Sequence, residues 1–364
     1  MCFTEKQCAN GKILGLALLN SPKTLNSLSL SMVNSLLTQL ISWLDNDQVV
    51  AIIIEGNASK AFCAGGDVVS IYHDLIERKS KYQNGELADK DIIASVAYQF
   101  FSAEYKLDLL IHQATKPILA LAEGYVMGGG LGLMVGASHR VATENTLLAM
   151  PEVTIGLYPD VGASWFLNQM PKGLGLFLGL TGCFINGDDG HYLGLIDNII
   201  NSQVIASIVG QMEQVDWQDD KQINHQLLTT LLAKQSDRQK NQRSTVETYA
   251  PLIQQLTNFD NIVDIYRAIV NYSSDNEWFK KAQQKLLHGS PLSAHVIYRQ
   301  LKKSQGCSLE DCFKKEFKLS LRHCQHSEFI EGVRALLVDK DNKPQWQYAG
   351  IEQVAQSQVE WFYK

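Results

Sequence analysis

The chain has 364 residues, 45% hydrophobic and 19% charged, with a formal net charge of −6. This is the composition of folded globular material, long enough for one large or two moderate domains, and it excludes a disordered chain. The acidic balance argues against a general nucleic-acid surface or an anionic membrane face, and no apolar run approaches the roughly 18 residues of a membrane-spanning helix.

Residues 13–19 read as the first strand. They lack the preceding basic cluster and following small-residue site of a signal peptide. Asn20-Ser21-Pro22-Lys23 is a turn. Ser29 or Ser31 caps a helix whose Met32, Leu36, Leu37, Leu40, Ile41 and Leu44 recur at helical spacing. The β-branched run 49–54 predicts a buried strand. A small-residue turn follows at 59–67, then a polar loop at 80–90 and one long helix over 91–113. Residues 118–122 predict a buried strand that leads to Gly128-Gly129-Gly130 and a possible helical continuation through Leu131, Leu133, Met134 and Val135.

Residues 162–180 read as two short helices broken near Pro171, and 195–200 as a last strand. Helices then follow at 203–214, 222–234, 246–257, 261–272, 276–288, 292–303, 308–324 and 328–337. The polar run 234–244 predicts an exposed linker. The expected organisation is therefore a strand-and-helix part over 1–200 and a helical part over 201–364, with no internal sequence repeat.

The cysteines, Cys2, Cys8, Cys63, Cys183, Cys307, Cys312 and Cys324, are odd in number and form no CxxC. That pattern predicts reduced thiols in a cytoplasmic protein, with no disulfide framework or zinc site. His323, Cys324 and His326 read as a solvated helix face.

Chemistry concentrates in the stretch 123–160. Glycines without side chains let a ligand approach bare backbone, and free N–H groups at a helix start suit a developing oxyanion. Gly66 and Gly129 each stand where a strand gives way to a helix, so their N–H groups could converge on one carbonyl oxygen. Glu152 follows Pro151 and Asp160 follows Pro159. From pattern alone each carboxylate is equally a first-turn or capping residue, and Glu104 a solvated helix residue. Gly130, Gly132 and Gly136 miss GxGxxG by one residue, as do Gly173, Gly175 and Gly179, and no phosphate-binding GxxxxGK[ST] occurs. Ser164 lacks the second glycine of a nucleophile elbow.

AFCAGGD at 61–67, GYVMGGGLGL at 124–133 and LNSPKTLNSL at 19–28 resemble segments of the crotonase (enoyl-CoA hydratase/isomerase) superfamily. The resemblance implies an α/β fold: a crotonase-like spiral of ββα units followed by a mostly helical C-terminal region. It places Gly66 and Gly129 at the two oxyanion donors. MPEVTIGLYPDVGASWFL at 150–167 and EFIEGVRALLVDKDNKPQW at 328–346 are similar to the superfamily's 3-hydroxyisobutyryl-CoA hydrolase branch. That likeness implies hydrolysis of a short branched 3-hydroxyacyl-CoA thioester, a step of valine catabolism. Glu152 and Asp160 would be its catalytic carboxylates, with Glu152 either activating water or attacking directly. Glu104 would bind the substrate's 3-hydroxyl, Ala64 would line the substrate, and Lys23 would contact a CoA phosphate. Hydratases of the superfamily carry a second catalytic glutamate where this chain has Gly132. Ala163-Ser164 stands where the hydrolases carry small glycines.

The resemblance implies an acyl-CoA substrate and no metal or redox cofactor, CoA being part of the substrate. It implies neither a nucleic-acid nor a membrane partner and leaves a homo-oligomer open. The alternatives are an enoyl-CoA hydratase/isomerase and a non-catalytic binding protein on the same scaffold.

Overall fold

A computed structural model describes residues 1–57, 60–81, 87–236 and 244–364. Most of the expected linker at 234–244 and part of the expected loop at 80–90 lie outside the described residues. Contacts group the chain into two units, each assembled from three stretches. The first, here the sheet unit, comprises Met1–Gly66, Lys106–Leu148 and Phe184–Thr248; the second, the helical unit, comprises Asp67–Tyr105, Ala149–Cys183 and Tyr249–Lys364.

Among the described residues there are ten strands: β1 (Cys2–Gln7), β2 (Ile13–Leu19), β3 (Val49–Gly56), β4 (Ala61–Cys63), β5 (Ile118–Ala122), β6 (Tyr125–Met127), β7 (His139–Ala142), β8 (Leu147–Ala149), β9 (Ile185–Asn186) and β10 (Asn198–Ile199), all in the sheet unit but for the last residue of β8. Six form one sheet in the order β1-β2-β3-β5-β7-β10, parallel except for the antiparallel β1–β2 edge. The other four form a second sheet in the order β4-β6-β8-β9. A strand of the large sheet is thus followed by one of the small sheet and then by a helical turn, at β3-β4, β5-β6 and β7-β8. This is the ββα repeat of the crotonase-like spiral.

The helix Leu30–Asp45 provides the crossover that parallel β2 and β3 require. Ser29 is its cap, accepting the Met32 N–H. Two helices beyond residue 200, Ser202–Glu213 and Lys221–Gln235, belong to this unit. Their Ile208, Met212, Leu228 and Leu232 pack with Val50, Ile53, Leu119, Leu121 and Val141 of the sheet. The expected division at 200 follows where strands give way to helices. Contacts divide the chain differently, because a parallel sheet needs cover on its faces.

The helical unit contains Val68–Lys79, the turn Glu152–Ile155, Ala163–Gln169, Leu174–Thr181 and the helices from Ile262–Asn271 onward. Phe177 stacks on Phe279 at 5.5 Å, with Tyr249 and Tyr272 beside Phe279. The turn Glu152–Ile155 is clasped from the C-terminal side. Val153 O accepts the Ser290 N–H at 3.0 Å, and a Cβ on Gly332 would lie 2.3 Å from the Ile155 carbonyl carbon, so only glycine fits there.

Several expectations are corrected. The chain opens with β1 rather than β2; its polar sequence gives no alternation because it is a largely exposed edge strand. The single helix expected over 91–113 is two, Asp89–Ile93 and Val96–His112, interrupted at Ser95, whose hydroxyl accepts the Tyr98 N–H. Residues 96–105 of the second fall in the helical unit and 106–112 in the sheet unit. The last strand is only Asn198–Ile199. His323 and Cys324 are buried rather than solvated, with His323 between the Tyr158 and Phe362 rings. Among the described residues, no helix is long and apolar enough to cross a membrane.

Candidate active site

The sheet unit brings the two glycine turns together. β4 and β6 pair in parallel, so the chain leaves both at the same end. After β4, Ala64 N–H donates to Leu25 O at 3.0 Å and Gly65 O accepts the Leu28 N–H at 2.8 Å. Gly65 has φ +104, and a Cβ built on it would sit 3.4 Å from Met127 O and 3.9 Å from the Gly129 nitrogen. After β6, Gly128 (φ 48) caps the wholly buried helix Gly129–Gly136. Gly129 is the first residue of that helix, so its N–H has no partner within it. Close approach explains the next glycine: a Cβ on Gly130 would meet Cys63 O at 2.4 Å.

Ala64 therefore stands between Leu25 and the Gly65 turn, while Gly66 bridges Leu28 and precedes the helix cap Asp67. Lys23 is exposed in the turn Pro22–Thr24. Buried Asn26 was not singled out from sequence. Its side chain accepts the Ser21 N–H and donates to Asn57 O and Ala61 O, tying the 21–28 loop to β4.

The helical unit holds the carboxylates. Glu104, Glu152 and Asp160 are only 2%, 5% and 5% exposed. Burial of a carboxylate is costly without compensating partners, and solvated-face or simple capping readings do not account for it. Pro151 and Gly162, not Glu152 or Asp160, occupy the cap positions of the adjoining helices. Asp160 enters a sharp turn in which Val161 (φ 52) and Gly162 (φ 86) are both left-handed. Its Oδ2 accepts the Tyr105 phenol hydrogen at 2.5 Å. Burial raises the Asp160 pKa to about 6, opposed by the Tyr105 hydrogen bond. Burial and then the Asp160 charge push Glu152 well above the usual carboxylate range, while a hydrogen bond from its own backbone N–H and then Lys285 pull it down.

Three further groups shape this cluster. Fully buried Glu316 accepts the N–H groups of Gly162 and Ser164 at 2.7 and 2.8 Å, holding the turn that carries Asp160. Burial raises its pKa to about 8, opposed by those hydrogen bonds. Ser320 Oγ lies between the Tyr105 and Tyr158 hydroxyls, at 2.7 and 2.9 Å. Lys285 donates to Gly182 O at 2.7 Å and exerts its charge on Glu152. Glu316 was findable in the sequence: it occupies the same stripe as Cys312, Phe313, Leu319 and Ser320, where a carboxylate is out of place. Among the described residues no group of three His, Cys, Asp or Glu is arranged to hold a metal ion.

A family model described as enoyl-CoA hydratase/isomerase matches residues 14–363. The chain belongs to this family. A Dictyostelium discoideum protein named 3-hydroxyisobutyryl-CoA hydrolase, mitochondrial, is 33% identical over 352 residues, covering 95% of this chain and 88% of that protein. A Neurospora crassa relative named small ribosomal subunit protein mS47 is 32% identical over 360 residues, covering 92% of this chain and 66% of that protein. Among solved structures, a carnitinyl-CoA dehydratase from Mycobacterium thermoresistibile superposes with a TM-score of 0.83 at 29% identity, covering 100% of this chain and 96% of that one.

Proposed function

We propose that this chain is a thioester hydrolase for a short branched 3-hydroxyacyl-CoA, with 3-hydroxyisobutyryl-CoA, the compound in the name of its Dictyostelium relative, as the leading substrate. The observation that carries the reading is the buried pair Glu152 and Asp160 together with Gly132 where a hydratase would hold its other glutamate. Addition of water across a double bond needs that second group to position water and deliver a proton.

In this reading the N–H groups of Gly66 and Gly129 polarise the thioester carbonyl. Glu152 and Asp160 activate water and move protons. Water adds to the acyl carbon, the C–S bond breaks with its electron pair on sulfur, and the products are a free carboxylic acid and a thiol. Glu104 accepts a hydrogen bond from the 3-hydroxyl, Ala64 lines the acyl-CoA and Lys23 meets a CoA phosphate. The step draws on no cofactor beyond the CoA of the substrate. The odd number of cysteines and the lack of a CxxC spacing support a reducing compartment: the cytoplasm, or the mitochondrion that the Dictyostelium protein's name gives for that protein.

A free-thiol assay over acyl-CoAs with and without a 3-hydroxyl tests the proposal. Thiol release fastest on the branched 3-hydroxyacyl thioester is the expected result. Loss of enoyl absorbance on crotonyl-CoA without thiol release would favour a hydratase. The Neurospora relative favours one further reading, a non-catalytic member of a ribonucleoprotein. Tight RNA binding with a steep salt dependence and no turnover would support it, against the net charge of −6.

A further inference from the structure

The helix Leu309–Gln325 has two faces at work. One carries Glu316 and Ser320, which bond to Gly162 and Tyr158. The other, with Lys315, Lys318, Leu319 and Arg322, lines a cleft of about 510 Å³. Every lining residue belongs to the helical unit, and none of Glu104, Glu152 and Asp160 is among them.

The walls of the cleft are tied together. Arg322 pairs with Asp89 at 3.3 Å, and Gln325 Nε2 donates to Asp89 Oδ1 at 2.9 Å, so the helix Asp89–Ile93 is held against Leu309–Gln325. Tyr98 meets Phe317 edge-on, with ring centres 5.3 Å apart. Phe362 and Tyr363 line it too. The Phe362 ring centre lies 4.5 Å from that of His323, and the Tyr363 hydroxyl donates to Val296 O at 3.1 Å.

The floor is apolar, made by Ile92, Tyr98, Leu319 and Phe362. Ile93 beside them is 59% exposed. It continues the apolar lining rather than standing alone, so covering it would remove a connected apolar area from water.

The charge of the cleft runs against that of the chain. The net charge is −6, yet Lys303, Lys315, Lys318, Arg322 and Lys364 line the cleft with a single acid, Asp89. That acid is taken by Arg322. Lys315 donates to Lys303 O at 3.1 Å and to Cys307 Sγ at 2.8 Å, neither a carboxylate. Lys303 Nζ stands 4.4 Å from the centre of the Tyr363 ring. Among the described residues, the ion pairs include none of Lys303, Lys315 and Lys318. Burial first, then the charges of Arg299 and Lys315, lower the Lys303 pKa, against Glu360. An anion among these groups would relieve that repulsion.

We infer that this cleft binds a fatty carboxylate, with its head among Lys303, Lys315 and Lys318 and its tail along Ile92, Ile93, Tyr98 and Leu319. Ammonium groups are point charges that take a carboxylate from any direction. The volume lies in the range of pockets that enclose a small molecule. A short hydroxy acid would leave the floor uncovered, and an uncharged lipid would leave the lysines unanswered. The site takes no part in thioester turnover.

The test is isothermal titration calorimetry of the full chain with dodecanoate, kept below its critical micelle concentration. One saturable site is expected. Affinity should rise about tenfold for each two-carbon step from octanoate to dodecanoate, as methylenes leave water. Decan-1-ol should bind about tenfold more weakly than decanoate. Lys318→Glu, at an exposed position, should weaken dodecanoate roughly tenfold. Ile93→Asp, also exposed, should weaken it by a similar factor without altering a lysine. Equal affinity in both folded variants would overturn the inference. So would displacement of dodecanoate by saturating isobutyryl-CoA, which would put it in the thioester's own site. Binding to phosphatidylglycerol vesicles with no saturable binding of monomeric dodecanoate would overturn it as well, in favour of a lipid surface.

Discussion

The Glu316 carboxylate accepts the Gly162 N–H at 2.7 Å, directly behind the left-handed turn that carries Asp160. Its other oxygen takes the Ser164 N–H, so one side chain satisfies two buried amides at the start of the helix Ala163–Gln169. Glu316→Ala should leave both amides without that acceptor and cost about 3 kcal/mol in urea unfolding, with Glu316→Gln losing less because its amide oxygen still accepts. Equal stability of the alanine variant would mean that another group holds the turn.

Glu152→Gln removes the carboxyl group while keeping the side chain's size. Thiol release should fall roughly 10²- to 10⁴-fold, and calorimetric binding of a CoA thioester should persist. Near-normal turnover would take Glu152 out of the chemistry.

The pH dependence follows from Asp160, whose pKa is raised to about 6 by burial. A group that acts as the carboxylate works above its pKa and is silenced below it. Thiol release at subsaturating substrate should therefore decline about tenfold per pH unit below that value. A profile flat down to pH 4.5 would contradict a base titrating there.

Gly130→Ala places a Cβ 2.4 Å from Cys63 O and 2.7 Å from Cys63 Cβ, between backbones with no flexible neighbour to yield. A loss of about 1–3 kcal/mol is expected, read as a lower Tm. Displacement of Gly129 from the Gly65 turn should lower kcat as well. Unchanged Tm and kcat together would show that the two turns need not be so close.

Glu104→Gln tests selectivity. Removing its charge should slow the 3-hydroxyacyl thioester more than isobutyryl-CoA, because a site built around a hydroxyl leaves a buried polar group unpaired when that partner is lost. Equal losses on the two substrates in the free-thiol assay would argue against the contact.

Much of the fold was legible because periodicity survives packing. The helices after residue 200 lie within a residue or two of their expected positions up to Leu309–Gln325, and the break near Pro171 separates Ala163–Gln169 from Leu174–Thr181. The short strands β4, β6, β8 and β9 were not legible as strands, since two or three residues carry no alternation. The glycine turns stood out locally, whereas the two carboxylates stood out only through the family resemblance, since by pattern each was equally a first-turn or capping residue. Their supports did not. Tyr105 and Ser320 are separated by 215 residues and Glu316 and Gly162 by 154, and neither pair leaves a spacing signal in a single sequence. Buried His323 was misread for the same reason: its neighbours Tyr158 and Phe362 come from remote segments.

The clasp on Glu152–Ile155 has a consequence for how activity arises during synthesis. Gly332 abuts Ile155, Gly156 abuts the Glu328 backbone, and Glu328 is itself fixed by the Gln347 N–H. A nascent polypeptide still lacking these residues holds the Glu152–Ile155 loop through the Ser290 N–H on Val153 O, but without the Gly332 and Glu328 contacts that complete the clasp. That loop would therefore reach its final packing only late in translation.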